Sequence, residues 1–268
     1  YYLLGGNMIK EGDFVTRKSY NNDIVFEVIL VEGKTCLLKG VDVRLSADAP
    51  ISDLVLCDRN KVSNKDDFCP EIDFISNMDR SEFFYLPGKI LHIDGDKSYL
   101  DRCMEFYKKN NVKAYGKSLK ESDMPGEIVK YLKMYNPDIL IITGHDAYFK
   151  KRDKDTNSMY KNSENFCKAV IEARKFEKSN EKLIIIAGAC QSNYEELIRS
   201  GATFASSPKK INIHALDPAI IATQLSLLDK NTEVDLIDLL SKTKYGKDGI
   251  GGLKSKGTMY MGYPRNEV

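Results

Sequence analysis

The chain has 268 residues, with 40 Lys plus Arg against 39 Asp plus Glu and a net charge of +1. That balance removes the basic surplus on which nucleic-acid binding usually rests. A 42% apolar, 29% charged composition is that of a globular protein, and no apolar run approaches the roughly 20 residues that span a bilayer.

The opening YYLLGGN, residues 1–7, differs in character from the chain beyond Met8 and is set aside as an extraneous remnant. Residues 8–57 read as short strands: DFVTRK, then IVFEVILV from Ile24 to Val31, a Glu32-Gly33-Lys34 turn, TCLLKG as hairpin partner, and VDVRL and SDLVLC as two further candidates. Strands this short and this close, with no helical period, predict a small β-barrel of the SH3-like kind. Residues 58–83 are densely charged, broken by Pro70, and read as a linker between domains.

Residues 84–268 alternate strands with helices. KILHID is a strand. Ser98 can cap a helix burying Tyr99, Leu100, Cys103, Met104 and Tyr107. VKAYG, DILIITG, KLIIIAG and ATFAS supply further strands. Helices are expected at Pro125–Tyr135, Asn162–Lys178, around Tyr194–Ile198, near Pro218–Leu228 and at Val234–Ser241, with TMYMGY as a last short strand. Near-continuous apolar runs such as ILIITG and LIIIAG are those of strands buried on both faces. The fold class is therefore α/β, a mostly parallel sheet with helices on both faces, preceded by the β module.

In open α/β sheets ligands gather at the carboxyl ends of the strands. Those ends carry Asp94-Gly95-Asp96, Gly144-His145-Asp146, Gly188-Ala189-Cys190-Gln191 and Ser206-Ser207-Pro208. His145 and Cys190 thus follow neighbouring strands. A thiol of ordinary pKa, near 8.5, is only a few per cent ionised at neutral pH. An imidazole beside it can take its proton and later protonate a leaving amine. Cys190 also precedes a helix start, whose amides favour an anion. The rival pairing is Cys190 with His214, in NIHALDP, an order found in amidotransferase-like hydrolases; Asp217 there also reads as a helix cap. His92, inside a strand, reads as a satisfied core histidine. A non-catalytic adaptor with a pseudo-enzyme domain is the alternative of a different class. None of the six cysteines forms a C-x-x-C pair and there are three histidines, so neither a zinc site nor a disulfide scaffold is expected. No organic cofactor is implied.

A strand ending in Gly-His, followed 45 residues later by a strand ending in Gly-Ala-Cys-Gln, resembles the caspase-like cysteine peptidases of clan CD. The phrases TRKSYNNDIVF, PGKILHIDGD, YLKMYNPDILIITGHDAY, AGACQSNYEELIRSGATFASSP and NIHALDP are similar to those of the YabG family of sporulation-specific cysteine proteases, and the likeness runs from Met8 through almost the whole chain. The resemblance implies a protease of spore coat or cortex-associated proteins, acting in the sporulating cell and developing spore, with no signal peptide. It implies Cys190 as nucleophile, His145 as general base, and backbone support at Gly144, Asp146 and Gly188. Asp146 stands where clan CD enzymes usually carry glycine. The resemblance further places the specificity pocket at the end of the first strand. There Asp94 and Asp96, with Ser206, Ser207 and Gln191 nearby, would read an Arg or Lys before the cut bond. Self-cleavage is expected in the linker, at Arg59 or Arg80.

Overall fold

The computed structural model describes residues 9–57, 68, 70, 81–148 and 159–265. The chain divides into two compact units, Tyr1–Phe68 and Cys69–Val268. The linker with Arg59 and Arg80 falls almost wholly outside the described residues, as do residues 1–7.

The first unit is a five-stranded antiparallel sheet: β1 (Phe14–Arg17), β2 (Phe26–Glu32), β3 (Thr35–Gly40), β4 (Ser46–Pro50) and β5 (Leu54–Leu56). Their order in the sheet is β4-β3-β2-β1-β5. Period-two alternation buries Phe26 and Val28 on β2 and Cys36 and Leu38 on β3; Val15 and Leu54 are buried as well. The structure corrects one expectation in this unit. VDVRL is not a strand; residues 41–45 turn, with Gly40 N–H donating to the Leu45 carbonyl, and the strand comes after, at Ser46–Pro50. As an edge strand paired only to β3, it tolerates a proline that a central strand would not.

The second unit is built on a six-stranded sheet. In chain order it comprises β6 (Phe84–Leu86), β7 (Ile90–Asp94), α1 (Lys97–Lys109), β8 (Ala114–Ser118), α2 (Met124–Tyr135), β9 (Ile139–Thr143), α3 (Ser163–Phe176), β10 (Ile184–Ala187), α4 (Tyr194–Arg199), β11 (Phe204–Ser206), α5 (Asp217–Leu227), α6 (Leu236–Ser241), α7 (Gly246–Gly249), β12 (Ile250–Gly252) and β13 (Tyr260–Gly262). The sheet order is β12-β11-β10-β9-β7-β8, parallel throughout except for β12, which runs antiparallel to β11. The last short strand, β13, leaves this sheet and pairs with β6 in a separate ribbon. The mostly parallel sheet with flanking helices is as the apolar runs predict.

Alternation across the strands feeds two cores. Leu91, Ile93, Leu140, Ile142 and Ile185 face Ile128, Leu132, Phe166 and Val170 of α2 and α3. The opposite face carries α1 and α5. Every residue of α5 is buried, and its sequence, DPAIIATQLSL, lacks a charged face. Helix α1 begins one residue before the predicted cap: Asp96, not Ser98, is the N-cap, and Phe106 is buried where Met104 is only partly so. His92 on β7 lies in this second face. Its Nδ1 is 2.8 Å from the Tyr107 hydroxyl, and its Nε2 lies 3.4 Å from Asp94.

Candidate active site

Parallel pairing carries the ends of β7, β8, β9, β10 and β11 to one edge of the sheet. Ile142 of β9 pairs with Ala187 of β10. His145 lies three residues beyond the first and Cys190 three residues beyond the second, each in the loop that follows its strand. The junction is stitched by Gly188 N–H donating to the Ile142 carbonyl (3.0 Å) and by the Thr143 hydroxyl donating to the Gly188 carbonyl (2.9 Å). Gly188 turns the chain there at φ +103°, a conformation an L side chain rarely adopts.

Three carboxylates hold the His145 loop. The first is Asp96. One of its oxygens accepts from the Ser98 amide, the Ser98 hydroxyl and the Tyr99 amide, capping α1. The other lies 2.9 Å from His145 Nε2. A carboxylate there accepts a hydrogen bond from Nε2–H, so that in the neutral tautomer it favours, Nδ1 carries the lone pair. Nδ1 is buried and has no hydrogen-bond partner among the described residues. The Tyr99 ring packs against the imidazole at 5.3 Å between centroids.

Glu121, in the turn before α2, is the second. Its Oε1 accepts from the His145 amide at 2.9 Å. The carboxylate lies directly over Gly95 and Gly144; a Cβ at either would stand 2.3 Å or 2.5 Å from Oε1. Both positions must lack a side chain for Glu121 to reach the histidine backbone.

Asp146 is the third. It is fully buried, and it accepts from the amides of Ala147 (2.9 Å) and Asn162 (2.8 Å) and from the hydroxyls of Ser163 and Ser192 (2.8 Å for the latter). Ser192 in turn accepts from the Ala189 amide at 2.9 Å. The Asp146 carboxyl group is thus turned into the protein, where it ties the His145 loop to the Cys190 loop and to the start of α3. Asn162 adds a clasp, its amide donating to the His145 carbonyl at 2.7 Å.

Burial raises the Asp146 pKa above the ordinary carboxylate value, outweighing the four donors that pull it down. The folded state then favours the protonated carboxyl. Its contribution to stability is complete below the unfolded-state pKa and is lost as pH rises through the raised folded-state value. Urea unfolding at a series of pH values is therefore expected to show wild type gaining stability relative to Asp146→Asn as pH falls. A constant difference would mean that the carboxylate titrates normally.

Cys190 has no exposed surface. Its Sγ accepts from the Ile213 amide at 3.2 Å and lies 3.6 Å from the Ile213 carbonyl. Helix α4 starts only at Tyr194, is six residues long and is capped by Asn193. It therefore sits farther from Cys190 than the sequence suggests.

Most of the residues expected to read substrate are already engaged within the protein. Asp94 is buried, with one oxygen accepting from the Asp96 amide and the other facing His92. Asp96 is engaged by the α1 cap and His145. Ser206 and Ser207 are buried, and the Ser207 hydroxyl donates to the Ile211 carbonyl at 2.6 Å. Gln191, at φ +57°, is half-buried; its side-chain oxygen accepts from Tyr148 N–H and its amide nitrogen donates to Asn212. His214 is buried, and its Nδ1 accepts from Leu216 N–H at 3.2 Å. Asp217 is the first residue of α5, next to its N-cap Leu216; it accepts from the His214 and Lys244 amides. Sequence reasoning missed Glu121, Tyr99, Asn162 and Ser163. The Asn-Ser step before α3 was a readable helix-start signal; nothing in the sequence marks Glu121.

Among the described residues, no group of three or more His, Cys, Asp or Glu side chains could hold a metal ion. None of their helices is long and apolar enough to cross a membrane.

His145 and Cys190 each follow one of two adjacent parallel strands of an α/β sheet, β9 and β10. The family model described as YabG peptidase U57 matches residues 10–74 and 70–264. The chain is 36% identical to the sporulation-specific protease YabG of Bacillus subtilis (strain 168), over 94% of this chain and 97% of that protein. The chain belongs to the YabG peptidase family, and its substrates are proteins.

Proposed function

We propose that the protein is a sporulation-specific cysteine endopeptidase that processes spore coat or cortex-associated proteins. In this reading Cys190 is the nucleophile, His145 the general base and Asp96 the positioning residue behind it. The observation that carries it is the His145–Asp96 pair, which in the neutral ring leaves the lone pair on Nδ1, an atom with no hydrogen-bond partner among the described residues, Cys190 Sγ included. The amide of Asp146 supplies an oxyanion donor, with Gly144 and Gly188 as the tight backbone on either side. The caspase-like reading is supported by the order of the His and Cys strands. The SH3-like reading of the first unit is supported by its five strands, with β5 returning to β1.

Cleavage after Arg or Lys is supported by the carboxylates gathered where β7 and β8 end. With Asp94 buried and Asp96 engaged, Glu121 is the one with an oxygen, Oε2, that has no hydrogen-bond partner among the described residues; it is half-buried rather than closed off. A guanidinium facing a carboxylate makes a strong, charge-assisted pair. The amidotransferase-like pairing of Cys190 with His214 is less well supported, because His214 Nδ1 accepts from Leu216 N–H, which puts the neutral ring's proton on Nε2 and leaves no lone pair for a base.

One experiment tests this reading. Purified protein is incubated with spore coat and cortex-associated proteins, and the new amino termini are read for wild type and Cys190→Ala. Termini preceded by Arg or Lys in wild type alone are expected, including cuts within the protein's own residues 58–83. Equal cleavage by Cys190→Ala would reject the cysteine mechanism. Cuts after acidic residues would reject the basic specificity.

A further inference from the structure

We infer that the segment Ser207–Ile213 is an autoinhibitory strap lying over Cys190, and that substrate is cut only when it lifts. The inference rests on Cys190 being the nucleophile. A thiolate attacks only when its sulfur comes within about 3–3.5 Å of the scissile carbon. A side chain with no exposed surface offers no such approach. What occupies the sulfur is the main chain of Ile213, through both its amide and its carbonyl. Ile211 and Asn212 lie along Gln191 in the same way: the Gln191 amide donates to the Ile211 carbonyl at 3.1 Å, and its side chain reaches Asn212 at 3.4 Å. An extended piece of the protein's own chain thus takes up the hydrogen-bonding groups beside the nucleophile.

The segment is built to hold and to release. It leaves β11 through Ser207 at φ +134° and turns at Lys210 at φ +53°, both non-glycine residues in a region that costs energy. Opposing that strain are the buried Ile213 side chain, its two main-chain contacts with the Cys190 sulfur, the Gln191–Ile211 bond, and two individually weak side-chain fasteners. The weak ones are the Gln191–Asn212 bond and the Lys210 ammonium over the Tyr148 ring at 4.6 Å to its centroid. Tyr148 is three residues beyond His145, so the last fastener joins the strap to the histidine loop. The fastening side chains of Lys210 and Asn212 engage Tyr148 and Gln191 rather than Cys190 or His145, so they can be altered without removing a reacting group.

The test is time-resolved alkylation by iodoacetamide of the full chain, with the modified cysteines mapped by mass spectrometry. In wild type, Cys190 is expected to react more slowly than the partly exposed Cys57. In Lys210→Ala with Asn212→Ala, Cys190 alone is expected to speed up, by about tenfold for two fasteners of ordinary strength. Peptide hydrolysis should rise with it. The buried Cys103 stays slow if the unit remains folded. Each single variant, expected to give a smaller rise, covers the case in which the double variant does not fold. Three results would overturn the strap: wild-type Cys190 reacting as fast as Cys57, an unchanged Cys190 rate in the folded variants, or Cys190 reacting only in step with Cys103. Failure of the nucleophile assignment looks different. Alkylation would still accelerate in the variants, but Cys190→Ala would keep its cleavage activity.

Discussion

Replacing Cys190 with alanine is expected to abolish peptide-bond cleavage, and replacing His145 with alanine to slow it by about 10²–10⁴-fold, the usual worth of a positioned base. The asymmetry comes from their roles. Without the sulfur no acyl-enzyme forms, whereas without the imidazole the small ionised fraction of the thiol still reacts. His214→Ala should be much milder in rate, because that ring serves the turn into α5; its cost should appear as lost stability. Steady-state hydrolysis of one fluorogenic peptide by the three purified variants, with circular dichroism to confirm folding, decides the matter. An active His145→Ala beside an inactive, folded His214→Ala would transfer the base to His214.

The second large effect is expected at Asp96, where stability and rate should separate. Asp96→Asn keeps an oxygen to accept from the Ser98 and Tyr99 amides, and asparagine caps a helix as well as aspartate does. Its amide nitrogen, however, would face His145 Nε2 as a donor. The imidazole would have to accept there and carry its proton on Nδ1, the nitrogen that must be unprotonated if it is to act as the proposed base. A loss on the order of 10²–10⁴-fold in kcat is expected for that reversal, with unfolding free energy within about 0.5 kcal/mol of wild type. Asp96→Ala should lose the rate and, in addition, about 1 kcal/mol from the vacated cap. A merely structural Asp96 would give the opposite ranking, with Asn active and Ala impaired only in stability.

Much of this arrangement is legible in the sequence. ILIITG and LIIIAG announce strands buried on both faces, and parallel neighbours then place His145 and Cys190 at one edge of the sheet. Periodicity does not show contacts between segments far apart in sequence. Asp96 and His145 are 49 residues apart, and Glu121 and His145 are 24 apart. Asp96 and Glu121 are ordinary loop acids until the fold closes. The strand at Ser46–Pro50 escapes a sequence reading for a local reason: SADAP has the composition of a turn, and only its edge position lets it pair. The burial of Cys190 is equally invisible, since Ile211–Ile213 comes after a polar stretch that reads as loop.

In the proposed mechanism, the matched register of β9 and β10 sets the level from which the His145 and Cys190 loops depart. Side chains alternate across a strand, so a slip of one residue in β10 would turn its whole side-chain row to the other face and shift Cys190 out of level with His145. Such a molecule could remain compact, with nearly the same helix and strand content, and have no enzymatic activity. If Cys190 and His145 are the reacting pair, activity reports correct strand alignment more sensitively than any spectroscopic count of secondary structure.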